Sequence, residues 1–272
     1  LIRVVGQQVP PQETPVPGAG VFASAPAYPR LIAHRGGGSS APENTLAAIR
    51  AGHRAGFAGV EFDAMLSADG TPFLIHDETL ERTSNGCGAV AASSDALLAG
   101  LDAGSWHSPA FRGEPLPTLA AALDLCRSLG LWVNLEIKPS RGREAETGAA
   151  VAEVAARAVT AGLPASALVL SSFAEEALAA ARQTAPGLAR ALLVTAVPAD
   201  WEARLARLGA VALHCAVAGL DEHTVRQLAA GLAARGGALA CYTVNDAARI
   251  SALLQWGVAG VFTDRLDLAG PA

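Results

Sequence analysis

Leu131-Trp-Val-Asn-Leu-Glu-Ile-Lys138 is an apolar run of strand length that ends on two opposite charges. Ala/Leu-rich helical patterns flank it on both sides, over 118–130 and 146–162. Read outward from there, the same unit recurs along the chain. Strand-like runs stand at 31–34, 59–63, 131–137, 168–171, 190–194, 211–214, 238–244 and 257–263. The further helical stretches fall near 44–56, 173–185, 199–208, 221–235 and 246–256. Strand and helix in steady alternation make parallel βα units. Eight such strands within a chain of ordinary barrel length predict an α/β fold of the (β/α)8 barrel type. No Gly-x-Gly-x-x-Gly opens the first helix, which counts against a dinucleotide-binding open sheet.

One segment breaks the rhythm. Residues 64–117 contain a second strand-like run, 71–75, separated from 64–67 by Asp69-Gly70, a hairpin signal. A hairpin is not a barrel unit, so this segment is expected to form a small insertion lobe after the second strand. Its Asn85-Gly86 and the glycines around Trp106 suit irregular structure. The barrel domain, 31–272, is preceded by an extension, 1–30, that carries Pro10, Pro11, Pro15, Pro17, Pro26 and Pro29. It lacks the basic and apolar regions of a signal peptide and is expected to lie as an extended arm over the domain.

Composition narrows the function. The chain has 272 residues, 51% of them apolar, enough for a large core and against global disorder. A formal charge of −5, without a basic cluster and with 5% aromatics, argues against nucleic acid as a partner. No run of eighteen apolar residues is present, so no membrane span is expected. Cys87, Cys126, Cys215 and Cys241 show neither zinc-ligand spacing nor a disulfide framework. Reduced cysteines point to the cytoplasm, although a leader removed before Leu1 is compatible with the sequence. Nothing in the sequence sets an oligomeric state.

In a βα barrel, chemistry sits where the strands end at their C-terminal side. Those ends carry His34 and Arg35, Glu61 and Asp63, then Glu136 and Lys138, while His76 and Asp77 end the hairpin's return run. Side chains at i and i+2 of a strand share a face, so Glu61 pairs with Asp63 and Glu136 with Lys138. Three clustered carboxylates repel unless a cation neutralises them, and an oxygen-only set suits one hard divalent ion, Mg²⁺ or Ca²⁺. His34 and His76 titrate near neutrality and can move protons. Lys138 is a lone lysine among 20 basic residues, a compact point charge where arginine would offer a broad fork. Gly36-Gly37-Gly38 after the first strand reads either as an anion-cradling loop or as a plain turn. His53 is expected to pack on its helix's apolar stripe, and Leu97, Leu98, Leu101, Trp106 and Phe111 to form the lobe's core.

These residues carry a family resemblance. His34-Arg35-Gly36 with Pro42-Glu43-Asn44-Thr45, Val60-Glu61-Phe62-Asp63, and His76-Asp77 with Leu80 and Arg82-Thr83 resemble motifs of glycerophosphodiester phosphodiesterases. Asp102 to Trp106, Pro117-Thr118-Leu119, Leu135-Glu136-Ile137-Lys138, Ser171-Ser172-Phe173, Tyr242-Thr243-Val244-Asn245 and Phe262-Thr263-Asp264 follow in the same order. The resemblance implies a phosphodiesterase barrel that hydrolyses a small glycerophosphodiester to sn-glycerol 3-phosphate and an alcohol. It implies Glu61, Asp63 and Glu136 as metal ligands, His34 and His76 as the acid/base pair, and Arg35 and Lys138 as phosphate contacts. Tyr242, Ser84 and Arg265-Leu266 depart from the family pattern, and these positions bear on the choice of alcohol. Attack by water or by the substrate's own 2-hydroxyl stays open, as does which histidine is base. The rivals are a lysophospholipase D, which needs an apolar groove, and a catalytically inactive binding barrel, which should have lost one of these side chains.

Overall fold

The computed structural model describes residues 25–269. The proline-rich extension expected over 1–30 therefore lies outside the described residues as far as residue 24.

The chain alternates strands with helices. β1 (Leu31–Ala33) leads through α1 (Leu46–Arg54) to β2 (Gly59–Leu66), and β3 (Pro72–Leu74) folds back on it. The short α2 (Asp95–Ala99) precedes α3 (Leu119–Leu129) and β4 (Trp132–Ile137). Then come α4 (Glu144–Thr160), β5 (Leu168–Ser172), α5 (Glu175–Thr184) and β6 (Ala189–Val194). The last elements are α6 (Trp201–Leu208), β7 (Ala212–Ala216), α7 (Glu222–Ala233), β8 (Ala238–Tyr242), α8 (Ala247–Gln255) and β9 (Gly260–Thr263).

All strands but β3 are parallel, and β1 pairs with both β2 and β9, which closes the sheet into a (β/α)8 barrel. β3 runs antiparallel to the end of β2, with Ala64 opposite Leu74 and Leu66 opposite Pro72. The expected return strand thus stays outside the closed ring. Its pairing also carries β2 three residues past Asp63, farther than the sequence suggested. At the other end of the chain, 257–259 belong to the turn after α8, so β9 is shorter than expected.

The pleat divides the core. Outward-facing Val60, Phe62, Val133, Leu135, Leu168 and Leu170 pack on the helices, as do Leu192, Leu213 and Leu239 on the far side. Inside the ring the residues are small, with Ala189, Ala191, Ala212, Ala238 and Ala240 filled out by Ile32, Trp132 and Phe262. Tyr28 completes this floor. Its ring lies 4.7 Å from that of Trp132, and its hydroxyl bonds His214 Nε2 at 2.8 Å. Thr45 and Thr118 cap α1 and α3 by accepting from Ala48 N and Ala121 N, each worth about 1 kcal/mol.

The lobe has its own small core of Met65, Phe73, Ile75, Leu80, Val90, Leu98, Ala103 and Leu116, with Leu101 packed against it. Leu97 and Trp106, expected in that core, are exposed instead. His53 is exposed too. Gly52 takes the inward face beside it, where even a Cβ would stand 2.3 Å from Gly36 O.

Candidate active site

Strand pleat decides which side chains reach the mouth of the barrel. Because Val60, Phe62 and Ala64 face the helices, Glu61 and Asp63 must face inward. The same holds for Asn134 and Glu136 between Val133, Leu135 and Ile137. One carboxylate oxygen from each of Glu61, Asp63 and Glu136 lies within 4.8 Å of the others. Burial, with the Asp63 charge beside it, pushes Glu61 up to about 7. Burial and then Asp63 likewise hold Glu136 well above the usual carboxylate range. Acids so placed resist ionising together, and an oxygen-only set of this kind fits a hard divalent cation.

The loop after β1 wraps this cluster. Arg35 N donates to Glu61 Oε2 at 2.8 Å, Asn44 Nδ2 donates to Asp63 Oδ2 at 2.9 Å, and Asp63 N donates to Asn44 Oδ1 at 3.0 Å. Arg35 and Asn44 both hold positive φ, 51° and 58°, a conformation that costs about 1–3 kcal/mol each and clusters at functional sites. Gly38 lets the loop lie against the end of β9. At its φ of 53° a Cβ would stand 2.2 Å from Asp264 O. The amides of Gly36 and Gly38 are engaged by Ala33 O and His34 O, so these two are spent within a tight turn.

Each histidine is held by an aspartate. His34 Nδ1 lies 2.7 Å from Asp264 Oδ1, and Asn245 Nδ2 fixes the other oxygen at 2.9 Å. His76 Nδ1 lies 2.6 Å from Asp77 Oδ1. An Nδ1–H donated to a carboxylate leaves Nε2 to exchange protons with a ligand. Burial disfavours charge on His34, but the Asp264 hydrogen bond and the Glu61 charge outweigh it and raise its pKa. Burial lowers that of His76, and Asp63 and Asp77 oppose this without cancelling it.

Two cations border the acids. Lys138 Nζ stands 3.7 Å from both Asp63 Oδ1 and Glu136 Oε1. Arg35 Nη1 donates to Glu43 Oε1 at 2.7 Å, while its buried Nε has no hydrogen-bond partner among the described residues. A cleft lined by His34, Glu61, Asn134, Glu136, Phe173 and Tyr242 runs into the barrel. A wider groove of about 330 Å³ passes Glu78, Lys138, Arg141, Glu144 and Phe173 on the other side.

The structure therefore gathers His34, Arg35, Glu61, Asp63, His76, Glu136 and Lys138 at one mouth. His214, which ends a strand-like run, is not among them. It lies fully buried on the barrel floor against Tyr28, and burial lowers its pKa to about 3. Asn44, Glu43, Asp77, Arg82 and Asp264 lie within the motifs, but the sequence alone assigns them no role. Asp264 was the most legible of them, because in a closed barrel the last strand end must neighbour the first.

Comparison with known proteins gives a consistent answer. The sequence matches the Glycerophosphoryl diester phosphodiesterase family over residues 34–268. A putative glycerophosphodiester phosphodiesterase of Bacillus subtilis is 42% identical over 120 residues, an alignment that spans 43% of this chain and about half (49%) of the relative. The glycerophosphodiester phosphodiesterase of Caldanaerobacter subterraneus is 32% identical over 86% of this chain and 93% of its own length. Among solved structures, an Oleispira antarctica phosphodiesterase in complex with the product sn-glycerol-3-phosphate superposes with a TM-score of 0.78. It is 40% identical, and the match covers 87% of this chain and 93% of that one.

Proposed function

The chain belongs to the glycerophosphoryl diester phosphodiesterase family, and from that premise we propose that it hydrolyses small glycerophosphodiesters to sn-glycerol 3-phosphate and an alcohol. The observation that carries the reading is the pair of Asp-anchored histidines beside three converging acids. The Oleispira structure with its bound product supports the same substrate class.

Glu61, Asp63 and Glu136 would hold one divalent cation, Mg²⁺ or Ca²⁺, and Asn44 fixes the Asp63 carboxylate within that cluster. When bound, that ion supplies positive charge against the phosphodiester and its developing negative charge. Lys138 and the guanidinium of Arg35, both beside Asp63, bind the non-bridging oxygens, so they act where charge grows in the transition state. One histidine Nε2 takes the proton of the attacking oxygen as that oxygen bonds to phosphorus. The other gives a proton to the alcohol oxygen as its bond to phosphorus breaks. Asp264 and Asp77 hold the rings in the tautomer that this exchange requires.

The test is the rate at which the head-group alcohol, choline or ethanolamine, is released from glycerophosphocholine, glycerophosphoethanolamine and lysophosphatidylcholine side by side. Turnover of the first two, lost in His76→Ala by roughly 10²–10⁴-fold, is expected for a proton-transfer group. Preference for lysophosphatidylcholine would move the assignment to acyl-bearing substrates, and inactivity on all three would remove it.

A further inference from the structure

Arg82 stands outside the machinery described above, in the lobe segment after β3, yet it is bonded toward both halves of the site. Its Nη1 and Nη2 donate to Glu43 Oε2 and Oε1 at 2.8 Å each. Its Nε and Nη2 donate to Asp77 Oδ2 and Oδ1 at 2.5 and 3.0 Å. Asp77 in turn holds His76 Nδ1, and Glu43 accepts from Arg35 Nη1. An unbroken run of alternating charge, His76–Asp77–Arg82–Glu43–Arg35, thus crosses from the lobe to the loop after β1.

We propose that Arg82 is a positioning residue for the reaction, fixing through one planar fork both the ring of His76 and the guanidinium of Arg35. The inference rests on the reading that His76 moves a proton and Arg35 touches the phosphate. Three observations carry it. The side chain is 44% exposed, so as an isolated ion pair it would add little to stability. Its donors nevertheless engage both oxygens of two separate carboxylates, an arrangement that fixes geometry. Each carboxylate then holds one group of the site, so a displaced Arg82 frees both. A lysine cannot replace it, because a single ammonium offers no fork.

The lobe does not depend on this link for its docking. The β2–β3 hairpin joins it to the barrel, Ala47 N donates to Glu114 Oε1 at 2.8 Å, and His107 Nε2 bonds Ser39 O. Arg82 variants should therefore fold.

The experiment compares Arg82→Lys and Arg82→Gln with the parent in the full chain, with Mg²⁺ or Ca²⁺ supplied and glycerophosphocholine as substrate. Both variants should lose roughly 10–100-fold in kcat, the scale of a reacting group displaced by about 1 Å, while KM moves far less. Melting temperatures should stay near the parent's. Adding Asp77→Asn to Arg82→Gln should cost little more, because residues acting through one link are not additive. Parental kcat in Arg82→Lys overturns the inference, and so does a loss that appears only with a matching fall in melting temperature. His76→Ala is run alongside. If it is inactive beside a fully active Arg82→Lys, the inference alone fails. If His76→Ala is itself fully active, the reading of the site fails and takes the inference with it.

Discussion

Asp63 on β2 and Glu136 on β4 stand directly opposite each other in the parallel ladder. Two inward carboxylates at one rung, with Glu61 one turn of the pleat below, are unfavourable as bare charges. A divalent cation seated among them would relieve that juxtaposition.

Asp63→Asn removes one anionic ligand and keeps the shape that Asn44 holds. Calorimetric titration with Mg²⁺ or Ca²⁺ should show affinity weaker by about an order of magnitude or more, since ligand charge sets affinity in oxygen sites. Far-UV circular dichroism should be unchanged. Full activity of this variant in chelator would falsify the metal role.

Lys138→Ala should lower kcat on glycerophosphocholine by roughly 10²–10³-fold, the share of one well-placed donor to developing charge. Lys138→Arg should not restore it. A planar head is too broad for an ammonium seated 3.7 Å from two carboxylates. Complete rescue by arginine would mean that net charge alone suffices.

Asp264→Asn keeps a hydrogen-bonding group beside His34 but removes the charge and the preference for one tautomer. Turnover should fall by roughly 10²-fold or more at near-parental KM, as for other aspartates that orient a catalytic imidazole. A change confined to KM would assign Asp264 to substrate binding instead.

The floor of the barrel predicts an acid-sensitive step in stability. His214 is neutral in the fold, its pKa lowered by burial to about 3 from an ordinary 6.5. Below 6.5 the unfolded chain binds a proton that the folded one refuses. Its contribution is therefore complete above that pH and is lost as pH falls toward 3, by up to about 1.4 kcal/mol per pH unit. Chemical denaturation at pH 7 and pH 5 should show a smaller loss in His214→Gln than in the parent. Equal losses would place the acid sensitivity elsewhere.

The barrel and its three acids were legible because both follow from periodicity. Alternation of βα units fixes the ring, and the two-residue pleat puts Glu61 with Asp63 and Glu136 with Lys138. What stayed hidden depends on loops whose course no periodicity describes. Asn44 reaches Asp63 only because its backbone takes positive φ. Arg82 meets Glu43 only after the lobe has folded back over the loop that follows β1. The burial of His214 escaped for a related reason. Tyr28, which seals the floor above it, comes from the proline-rich stretch before the first strand, where no repeat announces a partner.

The seam between β9 and β1 joins the two ends of the barrel, with Phe262 opposite Ile32 and Asp264 reaching His34. During synthesis every acid of the cation cluster, Lys138 and both histidines leave the ribosome long before Asp264 does. An unfinished chain can thus hold nearly all the reactive side chains while His34 still lacks its anchor. The contact between His34 and Asp264 forms only once the ring has zipped shut. Hydrolytic rate during refolding consequently measures completion of the whole barrel rather than formation of any part of it.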